Sequence, residues 1–416
     1  MKRPNILFMN RVYPPSRGAS GRVLYDLATK MAREGWHVTV VSTGPVAGQE
    51  RQKNVRIIRV KGPDKPSNAF IYGWVWLKML VTALRLKSRH LLITMTDPPL
   101  LILAGRFVAW IKGSHHVHWC QDVYPDLFPV IGVKIPNFLM GVMKSQNQAA
   151  MRRCDKVVVI GHCMLEHLAK QGVLLEKMEY IPNWADTELN NKVFQEKDLK
   201  KIEEERSAQI SETARPHEEQ IKETRQKFRL LYAGNLGRAH SVNIMLDAAE
   251  VLEEKKADVE FVFVGDGERF DYLHEQRSKR HLHNIKFLPY QPGENLREVM
   301  ESGDVHLVTM RDDASGLLVP SKFYSAISVA RPTIFIGPEN SEVTEIIKEY
   351  ECGLLVSNDS AELLAEAILY YRDNEEAWFG AHKGTVKARK KYNPENSIDT
   401  WLDFAIKLIA EDLKVK

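Results

Sequence analysis

Short runs of continuous apolar residues, each followed by apolar residues at helical spacing, recur along almost the whole chain and restart once near residue 229. The first unit is Asn5-Ile6-Leu7-Phe8-Met9, then a turn-rich loop at 13–21, then Val23, Leu24, Leu27, Ala28 and Met31. Gly35 stops that helix before a second apolar run at 37–41. A strand that is apolar at every position has no solvent face, so it belongs in a parallel sheet covered by helices on both sides. The rhythm continues at 55–60, 91–95, 116–120 and 156–160. It starts afresh at 229–234 and runs through 259–264, 285–288, 305–309, 333–336 and 353–356. Two such series predict an α/β protein of two Rossmann-like, doubly wound domains, residues 1–193 and 228–393. A length of 416 residues accommodates two or three domains at about 150 residues each.

Between the series, residues 194–227 are charged and polar, with mixed signs at helical spacing and Pro216 in the middle. They read as a solvated helical insertion or linker. The apolar content of 44% and charged content of 27% exclude a disordered chain, a collagen-like fibre and a polytopic membrane protein. With 58 basic against 54 acidic residues there is no global basic field, and no nucleic-acid partner is expected. Cys120, Cys154, Cys163 and Cys352 match neither a Cys-x-x-Cys motif nor a disulfide framework, and read as buried thiols in a reducing cytosol. Lys2 and Arg3 precede an apolar run too short for a signal peptide.

Residues 69–84 form the most apolar stretch, broken by Lys78. It falls short of the ~20 residues needed to cross a bilayer. Trp74 and Trp76, with Lys78, Arg85, Lys87 and Arg89 around them, suit a helix lying in a membrane interface. An ordinary buried helix of the first domain is the alternative.

Four loops carry chemistry. The first, Arg17-Gly18-Ala19-Ser20-Gly21, joins a strand to a helix N-terminus, where backbone N–H groups can hold an anion. It is neither Gly-x-Gly-x-x-Gly nor a Walker sequence. In the second half, residues 232–240 offer Asn235, Gly237 and Arg238, whose guanidinium can fork onto phosphate oxygens. Gly265, Asp266 and Gly267 make a tight turn at the carboxyl end of a buried strand. Asp313, Gly316, Ser321 and Lys322 lie in a loop that leads into a helix after Pro320. A cation in a first helical turn opposes the helix dipole, so Lys322 is best explained by a bound anion. The three loops of the second half together suit the base, ribose and diphosphate of a sugar nucleotide.

At this point the chain resembles the family 4 retaining glycosyltransferases, which have two Rossmann-like domains facing across a cleft (the GT-B fold). The resemblance rests on Gly18…Leu27-Ala28…Gly35-Trp36-His37-Val38, on Gln121-Asp122-Val123-Tyr124-Pro125 and on Ile181-Pro182-Asn183-Trp184-Ala185-Asp186. In the second half it rests on Tyr232–Arg238, Val264–Gly267, Pro320-Ser321-Lys322, Ala330-Arg331-Pro332 and Cys352–Val356. The Pro-Ser-Lys and Gln-Asp-x-Tyr-Pro forms resemble the subgroup that builds bacterial surface polysaccharides, with amino-sugar and deoxy-sugar transferases among its members. Three departures stand out. Gly18-Ala19 replaces the family's double glycine. Its glutamate pair, with seven residues between, is replaced by Leu317 and Ser325 when counted from Pro332; when counted from Gly316, Asp313 takes the first place and Lys322 lies near the second. No lysine follows Arg238 in its loop, so Lys322 would supply the second charge.

The resemblance implies a donor site mainly in the second domain, on Asn235, Gly237, Arg238, Gly265, Asp266, Gly267, Asp313, Gly316, Ser321 and Lys322, with Gly18 from the first domain. It places His118, Gln121 and Asp122 on the acceptor side, with Asp126 and the turn at Pro125 shaping the cleft. Strand alternation sends His115 to the opposite face from His116 and His118, which read as packed side chains rather than metal ligands. Asp122, Arg238 and Lys322 are the expected catalytic residues. The helix at 394–416 should cross back onto the first domain.

The expected activity is transfer of a hexosyl or N-acetylhexosaminyl group from a nucleotide diphosphate sugar, UDP favoured, to an acceptor hydroxyl. The acceptor would be a lipid-linked saccharide of surface polysaccharide or O-antigen synthesis. Configuration would be retained, with no metal and no cofactor, and the protein would sit at the inner face of the cytoplasmic membrane on anionic lipid through 69–89. Three rivals remain: a sugar-nucleotide epimerase on the same fold, a dinucleotide-dependent oxidoreductase lacking its glycine fingerprint, and an inactive membrane-bound assembly component.

Overall fold

The computed structural model describes residues 3–64, 66–87, 89–190, 227–265, 269–289 and 293–414. The first sheet comprises β1 (Asn5–Met9), β2 (His37–Gly44), β3 (Gly48–Gln52), β4 (Val55–Lys61), β5 (Leu91–Thr94), β6 (His115–Cys120), β7 (Lys156–Val159) and β8 (Met178–Tyr180). Their order is β3-β4-β2-β1-β5-β6-β7-β8, and every pair except β3–β4 is parallel. The second sheet comprises β9 (Phe228–Ala233), β10 (Val259–Val264), β11 (Ile285–Leu288), β12 (Val305–Thr309), β13 (Thr333–Ile336) and β14 (Gly353–Val356). It is wholly parallel, in the order β11-β10-β9-β12-β13-β14. In each sheet the chain reverses its direction of winding beside the first strand, between β1 and β5 and between β9 and β12. The carboxyl ends of those strands flank the crevice where open α/β sheets bind ligands.

The apolar runs became strands because they can be buried on both faces: β5, β10, β12 and β13 are buried at every position. Two strands lacked that signature. β3, Gly-Gln-Glu-Arg-Gln, is exposed throughout and pairs antiparallel at the sheet edge, where charged residues are tolerated. β8 spans only three residues. The charged stretch 194–227 lies almost entirely outside the described residues.

Close packing of helix on sheet depends on particular glycines. A Cβ at Gly105, in the helix Leu101–Lys112, would fall 2.3 Å from Thr94 Cγ2 and 2.5 Å from His116 Nε2. Apolar side chains of the two domains merge into one buried cluster in which Ile160 and Met164 join Leu317, Val319 and Phe323. The final helix, Pro394–Lys414, packs against the helix Ala19–Arg33 of the first domain. Trp401 on it meets Trp119 at 4.7 Å between ring centroids, and Trp119 in turn stacks with Trp184 at 5.9 Å. All four cysteines are buried and unpaired.

Candidate active site

The carboxyl end of β9 runs into Gly234, whose φ of +124° suits glycine, and β10 runs into Gly265 at +138°. A Cβ at Gly265 would lie 2.5 Å from the Gly234 carbonyl oxygen, and one at Gly234 would lie 3.1 Å from Lys322 Cε. The lysine side chain therefore lies along the bare Gly234, which in turn packs on Gly265. Lys322 belongs to the first turn of the helix Ser321–Ser328. Its Nζ stands 3.3 Å from His240 Nε2 and 5.2 Å from the centre of the Tyr232 ring. His240 Nδ1 lies 2.8 Å from the Thr309 carbonyl oxygen at the end of β12. A carbonyl can only accept, so Nδ1 carries the proton and Nε2 presents a lone pair to the lysine. Burial, reinforced by the lysine charge, holds His240 down at about 3. Burial likewise brings Lys322 down to about 8.

Arg238 is exposed and reaches across to the first domain, where Nη1 donates to the Ile131 carbonyl at 3.4 Å. It does not converge on the lysine's partners. Asn235 is exposed and Gly237 half-buried on the same loop; the Asn235 carbonyl accepts from the Tyr232 hydroxyl at 3.3 Å. Asp266 and Gly267 lie outside the described residues. Asp313 is engaged by Arg311 in a two-pronged ion pair of 3.0 and 2.7 Å. Gly316, at φ +72°, brings its Cα against the first domain: a Cβ there would meet the Cys163 carbonyl at 3.0 Å. Ser321 is half-buried at the helix start. Gly18 caps the helix Ala19–Arg33 and packs on Val12, whose Cγ1 a Cβ would approach to 2.9 Å.

The first domain meets this loop through its own strand end. Asp122 forms an isolated antiparallel bridge with Leu318, and the Val123 N–H donates to the Leu317 carbonyl at 2.8 Å. Asp122 is thus joined to a segment four residues before Lys322. Its carboxylate accepts from Thr96 at 3.4 Å, and burial, then the nearby Asp97 charge, pushes it up to about 6. His118 and Gln121, grouped with it on the acceptor side by the sequence, are used inside the domain instead. His118 is buried with Nδ1 at 3.2 Å from Thr94 Oγ1, and burial lowers it to about 4. Gln121 and Asn183 exchange a reciprocal amide pair at 3.1 and 2.7 Å, which occupies both ends of the glutamine. Asp126 pairs with Lys144 at 2.8 Å.

Sequence reasoning missed Arg11 and Asp97. They follow β1 and β5 at the switch point of the first sheet and form a two-pronged ion pair at 2.7 Å through both oxygens. A charged residue two or three positions beyond each of two neighbouring buried strands was the available signal. Also missed was Glu342, a buried carboxylate at the domain junction that accepts from the Tyr180 hydroxyl and the His162 N–H, both at 2.5 Å. With His162 and Glu345 it makes the one group of three such side chains, among the described residues, whose ligand atoms lie within 4.8 Å of each other. Its oxygens are already taken by the two domain-bridging hydrogen bonds.

Two facing doubly wound domains, with the last helix crossing back to the first, make this a GT-B protein. Over 97% of this chain and all of the other, it superposes on Anabaena Alr3699/HepE in complex with UDP and glucose, with a TM-score of 0.69 at 14% identity. Over 95% of this chain and 99% of the other, it superposes on WaaG, a glycosyltransferase involved in lipopolysaccharide biosynthesis, with a TM-score of 0.64 at 16% identity. Residues 18–184 match the glycosyl transferase 4-like domain, and residues 214–387 match the glycosyl transferases group 1. The chain belongs to this family of glycosyltransferases, family 4. It is 25% identical over 271 residues to a probable glycosyltransferase, WbjE, of Pseudomonas aeruginosa. It is 23% identical over 278 residues to a putative colanic acid biosynthesis glycosyl transferase, WcaI, of Escherichia coli K12. These alignments take in 65% of this chain and 62–63% of the relatives, so the chain covers less than two thirds of their length.

Proposed function

We propose that the protein transfers a sugar from a nucleotide diphosphate donor, UDP-linked by preference, to the hydroxyl of a lipid-linked saccharide in surface-polysaccharide assembly, with retention of configuration. The carrying observation is the placement of Lys322: a half-buried ammonium in a first helical turn, its side chain along the bare Gly234, held by a neutral histidine. An anion there meets a charge that is already positioned and partly desolvated, which is where electrostatic stabilisation is worth most. The UDP in the Alr3699/HepE structures and the polysaccharide pathways named for WcaI and WaaG support the donor and the product class.

In this reading the anomeric C–O bond to the diphosphate breaks, and negative charge grows on the departing phosphate oxygen. Lys322 stabilises it, joined by Arg238 once that side chain turns from the Ile131 carbonyl onto the diphosphate. The acceptor oxygen attacks from the same face, and its proton passes to the departing phosphate oxygen, so no protein nucleophile is required. Asp122 orients the acceptor or a sugar hydroxyl, and Arg11–Asp97 holds the loop ends beside it. No metal is needed, because the protein supplies the positive charge. The protein works at the cytoplasmic face of the membrane, with residues 69–89 on the lipid surface.

The test is release of nucleoside diphosphate from a panel of UDP-, GDP- and dTDP-sugars, with and without lipid-linked saccharide acceptors, in EDTA. Acceptor-dependent release of UDP, and a product whose anomeric proton signal shows the donor's configuration, is expected. Release that needs no acceptor, an inverted product, or turnover restored only by magnesium or manganese would overturn the corresponding part.

A further inference from the structure

Three helices of the first domain, Ala69–Arg85, Leu101–Lys112 and Asn137–Arg153, pack side by side. They turn Phe70, Trp74, Phe107, Trp110, Phe138 and Leu139 outward; Phe70, Trp110 and Phe138 are each about four-fifths exposed. Residues 69–89, 101–112 and 133–153 contain ten lysines and arginines and no aspartate or glutamate, in a chain whose charges are otherwise nearly balanced. An apolar plate with cations of one sign around it complements an anionic bilayer.

A cleft of about 610 Å³ opens between the second and third of these helices, at the amino ends of β6 and β7, opposite the carboxyl end where Asp122 meets the loop of Lys322. Arg106, Ser114, Gln146 and Arg153 line it, His116 lies at its inner end, and Phe107 and Trp110 stand at its mouth. Arg106 is half-buried, and among the described residues neither its guanidinium nor that of Arg153 has a hydrogen bond or ion pair. Asp155, the one carboxylate of the lining, is already engaged: it accepts from the His116 N–H at 2.7 Å and faces His115 at 3.4 Å. Burial, then the neighbouring His118 and the Arg106 charge, keep His116 neutral at about 3. Two guanidinium groups without partners thus share a cleft whose rim is aromatic.

We propose that this cleft binds the phosphoryl headgroup of an anionic membrane lipid and seats the first domain on the bilayer; the seating rests on the peripheral-membrane reading above. Guanidinium forks match phosphate oxygens in pairs. The Ser114 hydroxyl and Gln146 amide add neutral donors, and the acyl chains leave past Phe107 and Trp110.

Calorimetric titration of the full chain with dihexanoyl phosphatidate below its micelle concentration, and separately with inorganic phosphate, tests the cleft without a bilayer. Saturable phosphatidate binding is expected, tighter than that of inorganic phosphate and weakened about tenfold or more in Arg106→Gln and in Arg153→Gln, as loss of a charge-assisted hydrogen bond implies. Both variants should keep wild-type Tm. Absent binding, or binding untouched by both substitutions, overturns the proposal; equal affinity for inorganic phosphate overturns the lipid assignment. Flotation with phosphatidylcholine vesicles containing phosphatidate separates the two readings. Protein that binds the monomeric lipid but does not float overturns the membrane reading and the seating role; protein that floats without saturable titration overturns the cleft.

Discussion

Lys322 Nζ faces His240 Nε2 at 3.3 Å, and the histidine is fixed as an acceptor because its other nitrogen donates to the Thr309 carbonyl at 2.8 Å. The lysine is therefore held by a neutral group and keeps its full charge for an anion. Replacing Lys322 with Ala should lower kcat by about 10²–10³ with a smaller change in KM, because the lost interaction strengthens as the leaving group gains charge. The protonated form is the active one, and burial sets it at about 8. Wild-type kcat/KM should thus fall as pH rises through about 8, and Lys322→Arg should remove that alkaline limb. Near-normal turnover in Lys322→Ala would sink the placement of the diphosphate.

Asp122 supplies the opposite limb. Burial and the neighbouring Asp97 raise its carboxyl to about 6, so the carboxylate that orients a hydroxyl is lost as pH falls through that value. Activity should drop below about pH 6 in the wild type. Asp122→Asn should be slow at every pH and should lack the acid limb. A pH–rate profile for Asp122→Asn that kept the wild-type limb would assign it to another group.

Gly265→Ala tests the close approach of Gly265 to Gly234, along which Lys322 lies. The new Cβ would lie 2.5 Å from the Gly234 carbonyl at a φ of +138°, so backbone must move. Such strain costs about 1–3 kcal/mol, and the shift would carry the Lys322 side chain with it. Both Tm and turnover should fall, turnover more than stability accounts for. Unchanged values of both would show that the two loops are looser than drawn.

The domain junction should register the loss of a single hydroxyl. Tyr180 donates at 2.5 Å to the buried Glu342 carboxylate, so Tyr180→Phe leaves that oxygen without its donor. Hydrogen bonds to charged groups contribute about 1.5–3 kcal/mol. Urea unfolding should show a loss of that order, and a wild-type midpoint would mean that water replaces the hydroxyl at no cost.

Of the two tryptophans that suggested a membrane helix, Trp76 is tied down: its indole N–H donates to the Leu100 carbonyl at 3.2 Å. Trp74 is half-exposed beside Phe70. Phe70→Ser with Trp74→Ser should reduce flotation on anionic vesicles, and high salt should weaken what remains. Equal recovery of variant and wild type would remove this helix from any lipid contact.

Much of this architecture was written along the chain. Runs such as Val259–Val264 and Thr333–Ile336 are apolar at all but one position, and a doubly covered parallel sheet buries both faces of such a strand. Gly35, at φ +87°, marked a helix end because few other residues accept that backbone. Lys322 was legible because a cation in a first helical turn runs against the dipole and asks for a partner. What a linear reading could not supply was which distant groups meet. Gln121 stands next to Asp122, yet its amide is taken by Asn183, 62 residues later. Arg11 finds Asp97, and Glu342 finds Tyr180, only because strand order brings those ends together. The amino-acid pattern determines where each strand and helix forms, since burial periodicity is local. Partnership among polar side chains was decided by tertiary structure, because hydrogen bonds and charges act over a few ångströms of space, whatever their separation along the chain.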